Sequence, residues 1–238
     1  MDAITFDRVT VRFGGYTAVA DTWLAVGDGE FVSIVGPTGG GKSTLLNVAA
    51  GLLEPSEGDI LVGGRPLEGL NGSAGYLFQA EALMPWRSAL RNVTLGLEYR
   101  GVKPDDAKRR GEDWLARVGL AGHGHRLPHQ LSGGMRKRVA LAQTMIMDPK
   151  IILLDEPFSA LDVQTRVLME NELLGLWSAD RKSVLFITHD LEEAISLSDR
   201  VIILSEIRLT PRFLELHTQI WSAMREEVLK AYERNQRL

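Results

Sequence analysis

The chain has no cysteine in 238 residues. Disulfides and thiolate metal sites are therefore excluded, and the composition fits a reducing compartment, the cytoplasm by default. No apolar run approaches the roughly 20 residues needed to cross a bilayer. Met1-Asp2-Ala3 opens with no basic, signal-like segment, so any membrane role is expected to be peripheral. Basic residues are not in excess: the formal charge is −4, which argues against a partner held through a nucleic-acid backbone. What is present is 45% hydrophobic and 24% charged residues, enough to bury the core of one compact domain or of two interleaved subdomains.

Short strands are expected at Phe6 to Phe13 and Trp23 to Val26, with turns at Gly14-Gly15 and Gly27-Asp28-Gly29. Phe31 to Val35 is a continuous apolar run that leads through a glycine-rich loop into a helix over Thr44 to Ala50, with Gly51 as its C-cap. Further strands are expected at Ile60 to Val62 and Tyr76 to Phe78. From about Ala80 to Met147 the pattern becomes helical, at Ala89 to Tyr99, Asp105 to Val118 and Gly134 to Met147, and reads as an inserted helical subdomain. Apolar runs at Ile151 to Leu154, Val184 to Thr188 and Val201 to Leu204 then alternate with helices at Val163 to Trp177 and Leu191 to Leu197. That alternation implies a parallel sheet covered on both faces. Pro211 to Arg237 has the spacing of an amphipathic helix.

Three motifs carry chemistry. In Gly36-Pro37-Thr38-Gly39-Gly40-Gly41-Lys42-Ser43 the glycines let successive backbone N–H groups curl around phosphates. Lys42 reaches the β and γ phosphates, Ser43 offers a hydroxyl to Mg²⁺, and the following helix points its positive end at the same anion. The preceding strand and following helix are the context that this motif requires. Next, Ile151 to Leu154 ends in Asp155-Glu156. Asp155 is expected to orient the Mg²⁺ shell, and Glu156, projecting differently, to hold or deprotonate the water that attacks the γ phosphate. Last, Leu131-Ser132-Gly133-Gly134-Met135 opens a helix rich in Arg136, Lys137 and Arg138, where Ser132 and the glycine amides can bind an anion. A second phosphate-binding turn in a chain that already has one suggests a phosphate brought by another copy.

This combination resembles the nucleotide-binding subunit of ATP-binding cassette (ABC) transporters over nearly the whole chain up to about Leu204. The resemblance implies an α/β fold with a P-loop NTPase (RecA-like) core, an N-terminal antiparallel β subdomain and an inserted α-helical subdomain. Residues 1–79 and 148–208 would form the core and β subdomain, 80–147 the helical signature subdomain and 209–238 a C-terminal helix. It further implies ATP and Mg²⁺ as ligands, with each ATP sandwiched between two subunits. Gly36 to Thr44 matches the Walker A loop, Gln79 the Q-loop glutamine, which also touches the metal, and Leu131 to Met135 the signature. Asp155 and Glu156 match the Walker B aspartate and catalytic glutamate, Ser159-Ala-Leu-Asp162 the D-loop, and His189 the switch histidine. Phe13 sits where an adenine-stacking aromatic is expected.

Phe78 through Trp86 and Asn92-Val93, with Met135 as the last signature residue, look like the importers for nitrate, sulfonate, taurine and related small anions. That branch implies a second ATP-binding subunit, transmembrane permease subunits received by the apolar Leu83-Met84-Pro85-Trp86 segment, and indirectly a solute-binding protein, at the cytoplasmic face of the membrane. Compared with relatives, the segment Ser205 to Arg208 is short. The rivals are a cassette for another solute and a non-transport ABC ATPase acting on nucleic acid. The second of these usually carries a long coiled coil or a zinc module, whereas Leu45 to Gln130 has neither sustained heptads nor cysteine. His123, His125 and His129 lie in a glycine-containing turn with no carboxylate or cysteine to complete a metal site.

Overall fold

The computed structural model describes residues 1–159 and 161–204. The short segment at Ser205 to Arg208 and the helix expected at Pro211 to Arg237 lie outside the described residues.

Two sheets organise the chain. Strands β1 (Asp2–Phe13) and β2 (Tyr16–Gly27) form a long hairpin, about twice the length expected from the sequence. Ile4, Phe6, Val9, Val11, Leu24 and Val26 are buried while Arg8 and Trp23 are exposed, a half-buried antiparallel ribbon whose alternation is interrupted by register shifts. Strands β4 (Glu57–Val62) and β5 (Arg65–Pro66) complete an antiparallel sheet of order β2-β1-β4-β5. The second sheet is parallel, with order β6-β7-β8-β3-β9, from β6 (Ala74–Leu77), β7 (Ile151–Asp155), β8 (Ser183–Ile187), β3 (Phe31–Val35) and β9 (Arg200–Ile203). Its three central strands β7, β8 and β3 are buried at every residue, which explains their unbroken apolar runs.

The period of two sends alternate residues of these strands into two cores. Ile151, Leu153, Leu185, Ile187, Val32 and Ile34 face helix α1 (Lys42–Ala49) and the antiparallel sheet. Ile152, Leu154, Val184, Phe186 and Phe31 face the helical layer and α6 (Val163–Ala179). The helical layer comprises α2 (Ala89–Val93), α3 (Leu95–Tyr99), α4 (Pro104–Arg117) and α5 (Gly133–Met145). It shares its core with one face of the parallel sheet instead of forming its own. The single helix expected over Ala89 to Tyr99 is two short ones, broken at Thr94. Buried Asn92 turns its side chain back onto the carbonyls of Met84, Arg87 and Ser88 and the N–H of Met84, fastening the loop that precedes the break. Helix α7 (Leu191–Leu197) lies between β8 and β9.

Candidate nucleotide site

Four strands of the parallel sheet deliver site residues to its carboxyl-terminal edge, where ligands of α/β sheets bind. From β3 comes the loop 36–41, from β6 Gln79, from β7 Asp155 and Glu156, and from β8 His189. The loop strand β3 and the acidic strand β7 are not neighbours, since β8 runs between them. Ser43 nonetheless reaches across to donate its hydroxyl hydrogen bond to Asp155 at 3.0 Å.

An open cleft of about 460 Å³ is lined by Phe13, Lys42, Ser43, Gln79, Glu156 and His189, together with Thr38, Gly39, Gly41 and Thr44 of the loop. Loop glycines are required by their surroundings. Gly41 has φ +79°, and a Cβ there would stand 2.2 Å from the Ala18 carbonyl oxygen; one at Gly36 would stand 2.4 Å from that of Leu204. Gly41 also gives α1 no side-chain cap, and the first turn holds no acidic residue, so the helix N-terminus keeps its N–H groups and partial positive charge for an anion. Lys42, buried among the loop, donates to the carbonyls of Gly36 and Pro37, both at 2.8 Å.

Glu156 holds the centre of the polar edge. Its Oε2 accepts from Gln79 Nε2 at 3.2 Å and lies 3.4 Å from His189 Nδ1. Its backbone has φ +42°, an uncommon conformation for a residue with a side chain and one that costs about 1–2 kcal/mol. The Glu156 N–H to Ile187 carbonyl bond of 2.9 Å stabilises this turn. Asp155 lies beneath, 7% exposed. Burial pushes its carboxyl above the ordinary aspartate range and the neighbouring Glu156 adds to the rise, while the Ser43 hydrogen bond and Lys42 oppose it. The Ser43 hydroxyl and Asp155 carboxylate are a hard oxygen donor pair beside the phosphate loop, a set that fits Mg²⁺.

Ser132, Gly133 and Gly134 do not line the cleft. Ser132 caps α5, accepting from the Met135 N–H at 3.3 Å. Asp162 is also outside it and caps α6, accepting from the Thr165 N–H at 3.0 Å and hydroxyl at 2.7 Å. The two caps adjoin, since a Cβ on Gly134 would come within 2.7 Å of Thr165 Cγ2. Sequence reasoning missed Tyr16. It pairs with Phe13 across the hairpin turn, lines the cleft and donates its hydroxyl to the Gly39 carbonyl at 3.3 Å. A second aromatic three residues after Phe13, across two turn glycines, was the available signal. Among the described residues no cluster of histidine and carboxylate side chains forms a metal site.

Fold and cleft together define a P-loop nucleotide-binding ATPase with a helical layer inserted before its acidic strand. A family model described as ABC transporter matches residues 19–159. An ABC transporter ATP-binding protein of Methanocaldococcus jannaschii is 43% identical over 225 residues, covering 87% of this chain and 84% of that one. The Fe(3+) ions import ATP-binding protein FbpC of Brucella abortus is 41% identical over 207 residues, covering 86% of this chain and 59% of that one. Among solved structures, the dimeric post-hydrolysis state of the ATP-binding cassette MJ0796 bound to ADP and Pi superposes with a TM-score of 0.77 at 32% identity, covering 85% and 94% of the two chains. The chain belongs to the ABC transporter family, as an ATP-binding and ATP-hydrolysing subunit that uses ATP with Mg²⁺.

Proposed function

We propose that two copies of this chain enclose two ATP molecules, and that each site is divided between the copies. In one copy Phe13 stacks on adenine, residues 36–44 cradle the phosphates and Lys42 turns from its loop carbonyls to the β and γ phosphates. Ser43, Asp155 and Gln79 would hold Mg²⁺, which when bound supplies positive charge against the transferring phosphoryl oxygens. Glu156 positions and polarises the attacking water, and His189 contacts the γ phosphate. The opposite copy contributes Ser132, Gly133 and Gly134, with Asp162 beside them. Gly133 carries this reading: it is helical, and the nearest side-chain atom to a Cβ there is Arg136 Nη2 at 3.9 Å. Nothing in its own described chain requires glycine, as close approach by a second molecule would.

The test is the Glu156→Gln variant with ATP and Mg²⁺. It is expected to retain ATP, to elute as a dimer in size-exclusion chromatography and to lose about a hundredfold or more in turnover. In the unmodified protein, turnover per chain should rise with protein concentration. Full turnover by E156Q, or a rate per chain that does not depend on concentration, overturns the reading.

Dimer closure would drive permease subunits at the cytoplasmic face of the membrane, and indirectly serve a solute-binding protein. No described helix is long and apolar enough to cross a membrane. Met84 and Trp86 are exposed, Trp86 at 74%, and a separate groove of about 410 Å³ between β6 and α3 is lined by Tyr76, Phe78, Leu95 and Tyr99. This apolar surface supports docking of a permease helix. Leu83, expected in that exposed surface, is instead half-buried against the helical core. The resemblance of Phe78 to Trp86, Asn92-Val93 and Met135 to importers for nitrate, sulfonate and taurine supports import of a small anion of that kind. The ferric-ion importer among the relatives favours a second reading, import of another solute. Co-purification of the permease and transport by the reconstituted complex decides between them. The division into core (1–79 and 148–208), helical layer (80–147) and tail (209–238) belongs to the same proposal.

A further inference from the structure

Lys137 is the one buried cation of the helical layer with no part in the chemistry above. It is 2% exposed and sits one turn into α5 from Gly133. Its Nζ donates a hydrogen bond to the backbone carbonyl of Gln79. Burial lowers the pKa of the ammonium, and the charges of Glu81 and Asp155 oppose that lowering. Arg136, the preceding residue on α5, pairs with the same Glu81 at 3.6 Å. A buried ammonium is destabilising where an apolar side chain of similar length would pack, so packing alone does not explain lysine here.

The Gln79 carbonyl lies where the chain leaves β6, and the Gln79 side chain donates to Glu156. Lys137 therefore stands in a continuous series from the Ser132–Gly134 turn, along one turn of helix, through the Gln79 backbone, to the Glu156 carboxylate. We propose that Lys137 is a positioning residue that transmits displacement of helix α5 to Glu156 through Gln79. Under the divided-site reading, on which this inference rests, α5 serves one ATP and Glu156 the other. Lys137 then couples the two nucleotide sites within a single chain. Contact with one phosphate at Gly133 sets the geometry of the carboxylate at the second.

Lys137→Met keeps length and removes both the donor and the charge. Its ATPase kcat is expected to fall about tenfold or more while KM for ATP and the affinity for a fluorescent ATP analogue stay within about twofold. The melting temperature should be unchanged or higher, because a buried charge has been replaced by an apolar side chain. Lys137→Gln, which retains an N–H donor at shorter reach, should be intermediate in kcat. Wild-type kcat in K137M, or kcat losses in both variants that follow losses in melting temperature, would overturn the proposal. Glu156→Gln, measured in parallel, separates the failures: active K137M beside inactive E156Q refutes the coupling alone, whereas active E156Q removes the divided-site reading and the coupling with it.

Discussion

Two glycine-rich helix starts, at α1 and α5, solve opposite problems. At α1 the glycines serve the path of their own chain: Gly41 is left-handed and pressed against the Ala18 carbonyl, and Gly36 against that of Leu204. No side chain caps this helix, so its N-terminus remains available to an anion inside the cleft. At α5 the backbone is ordinary and Ser132 supplies the cap. Gly134 makes room for Thr165 of α6, and Gly133 makes room for nothing in its own described chain. The same residue type is thus an internal conformational requirement at one start and an outward clearance at the other.

The largest expected effect concerns the anchor of the first start. Lys42→Ala should weaken ATP binding by about a hundredfold or more, since it removes the charge aimed at the β and γ phosphates; unchanged affinity by calorimetry would break the assignment of the α1 cleft. A pair of alanine substitutions sharpens the contrast. Gly41→Ala should destabilise the fold by about 1–3 kcal/mol, through a strained φ and the Ala18 contact. Gly133→Ala should leave stability unchanged or raise it by about 0.5 kcal/mol, yet lower ATP turnover severalfold at unchanged ATP affinity of the isolated chain. Denaturation and ATPase assays on both variants check this, and equal destabilisation would erase the distinction.

The smallest effect concerns α6, which backs the second start through Thr165. Glu170 on this helix is pushed up to about 7 by burial first and then by Glu193, with Arg166 opposing. Its folded value exceeds the ordinary glutamate value of 4.5. Between those values the folded state binds more protons than the unfolded one, so this contribution is present at low pH and lost as pH rises through about 7. Glu170→Gln should therefore raise the melting temperature by about 1–3 °C at pH 8 and leave it nearly unchanged near pH 4.5. A thermal series across pH measures it, and an effect confined to low pH would reverse the sign.

Strands β3, β7 and β8 were legible to within a residue or two, because burial on both faces leaves an apolar run that no other element of that length requires. The β1–β2 hairpin was only half legible, since its polar outer positions interrupt the pattern. The break at Thr94 and the fastening of residues 84–88 by the Asn92 side chain were not legible, because the helical pattern runs on through Thr94 and the Asn92 bonds reach a loop up to eight residues away. The phosphate loop and the acidic pair Asp155-Glu156 were visible as local motifs, Phe13, Gln79 and His189 were singled out through the family resemblance, and Tyr16 and Lys137 were singled out by neither. Tyr16 reads as one more hairpin residue and Lys137 as one more charge on a basic helix, until packing shows where each side chain ends.

The sequence by itself determined which chemical groups are present and on which local scaffold each is carried, because glycine loops, capped helix starts and buried strands are set by neighbouring residues. Only the tertiary structure decided which groups meet. Strand order inserts β8 between the loop strand and the acidic strand, brings Gln79 and His189 to one oxygen of Glu156, and leaves the α5 start outside the cleft. Those distances follow from sheet topology and from helices packed across a shared core, that is, from contacts between residues far apart in the chain.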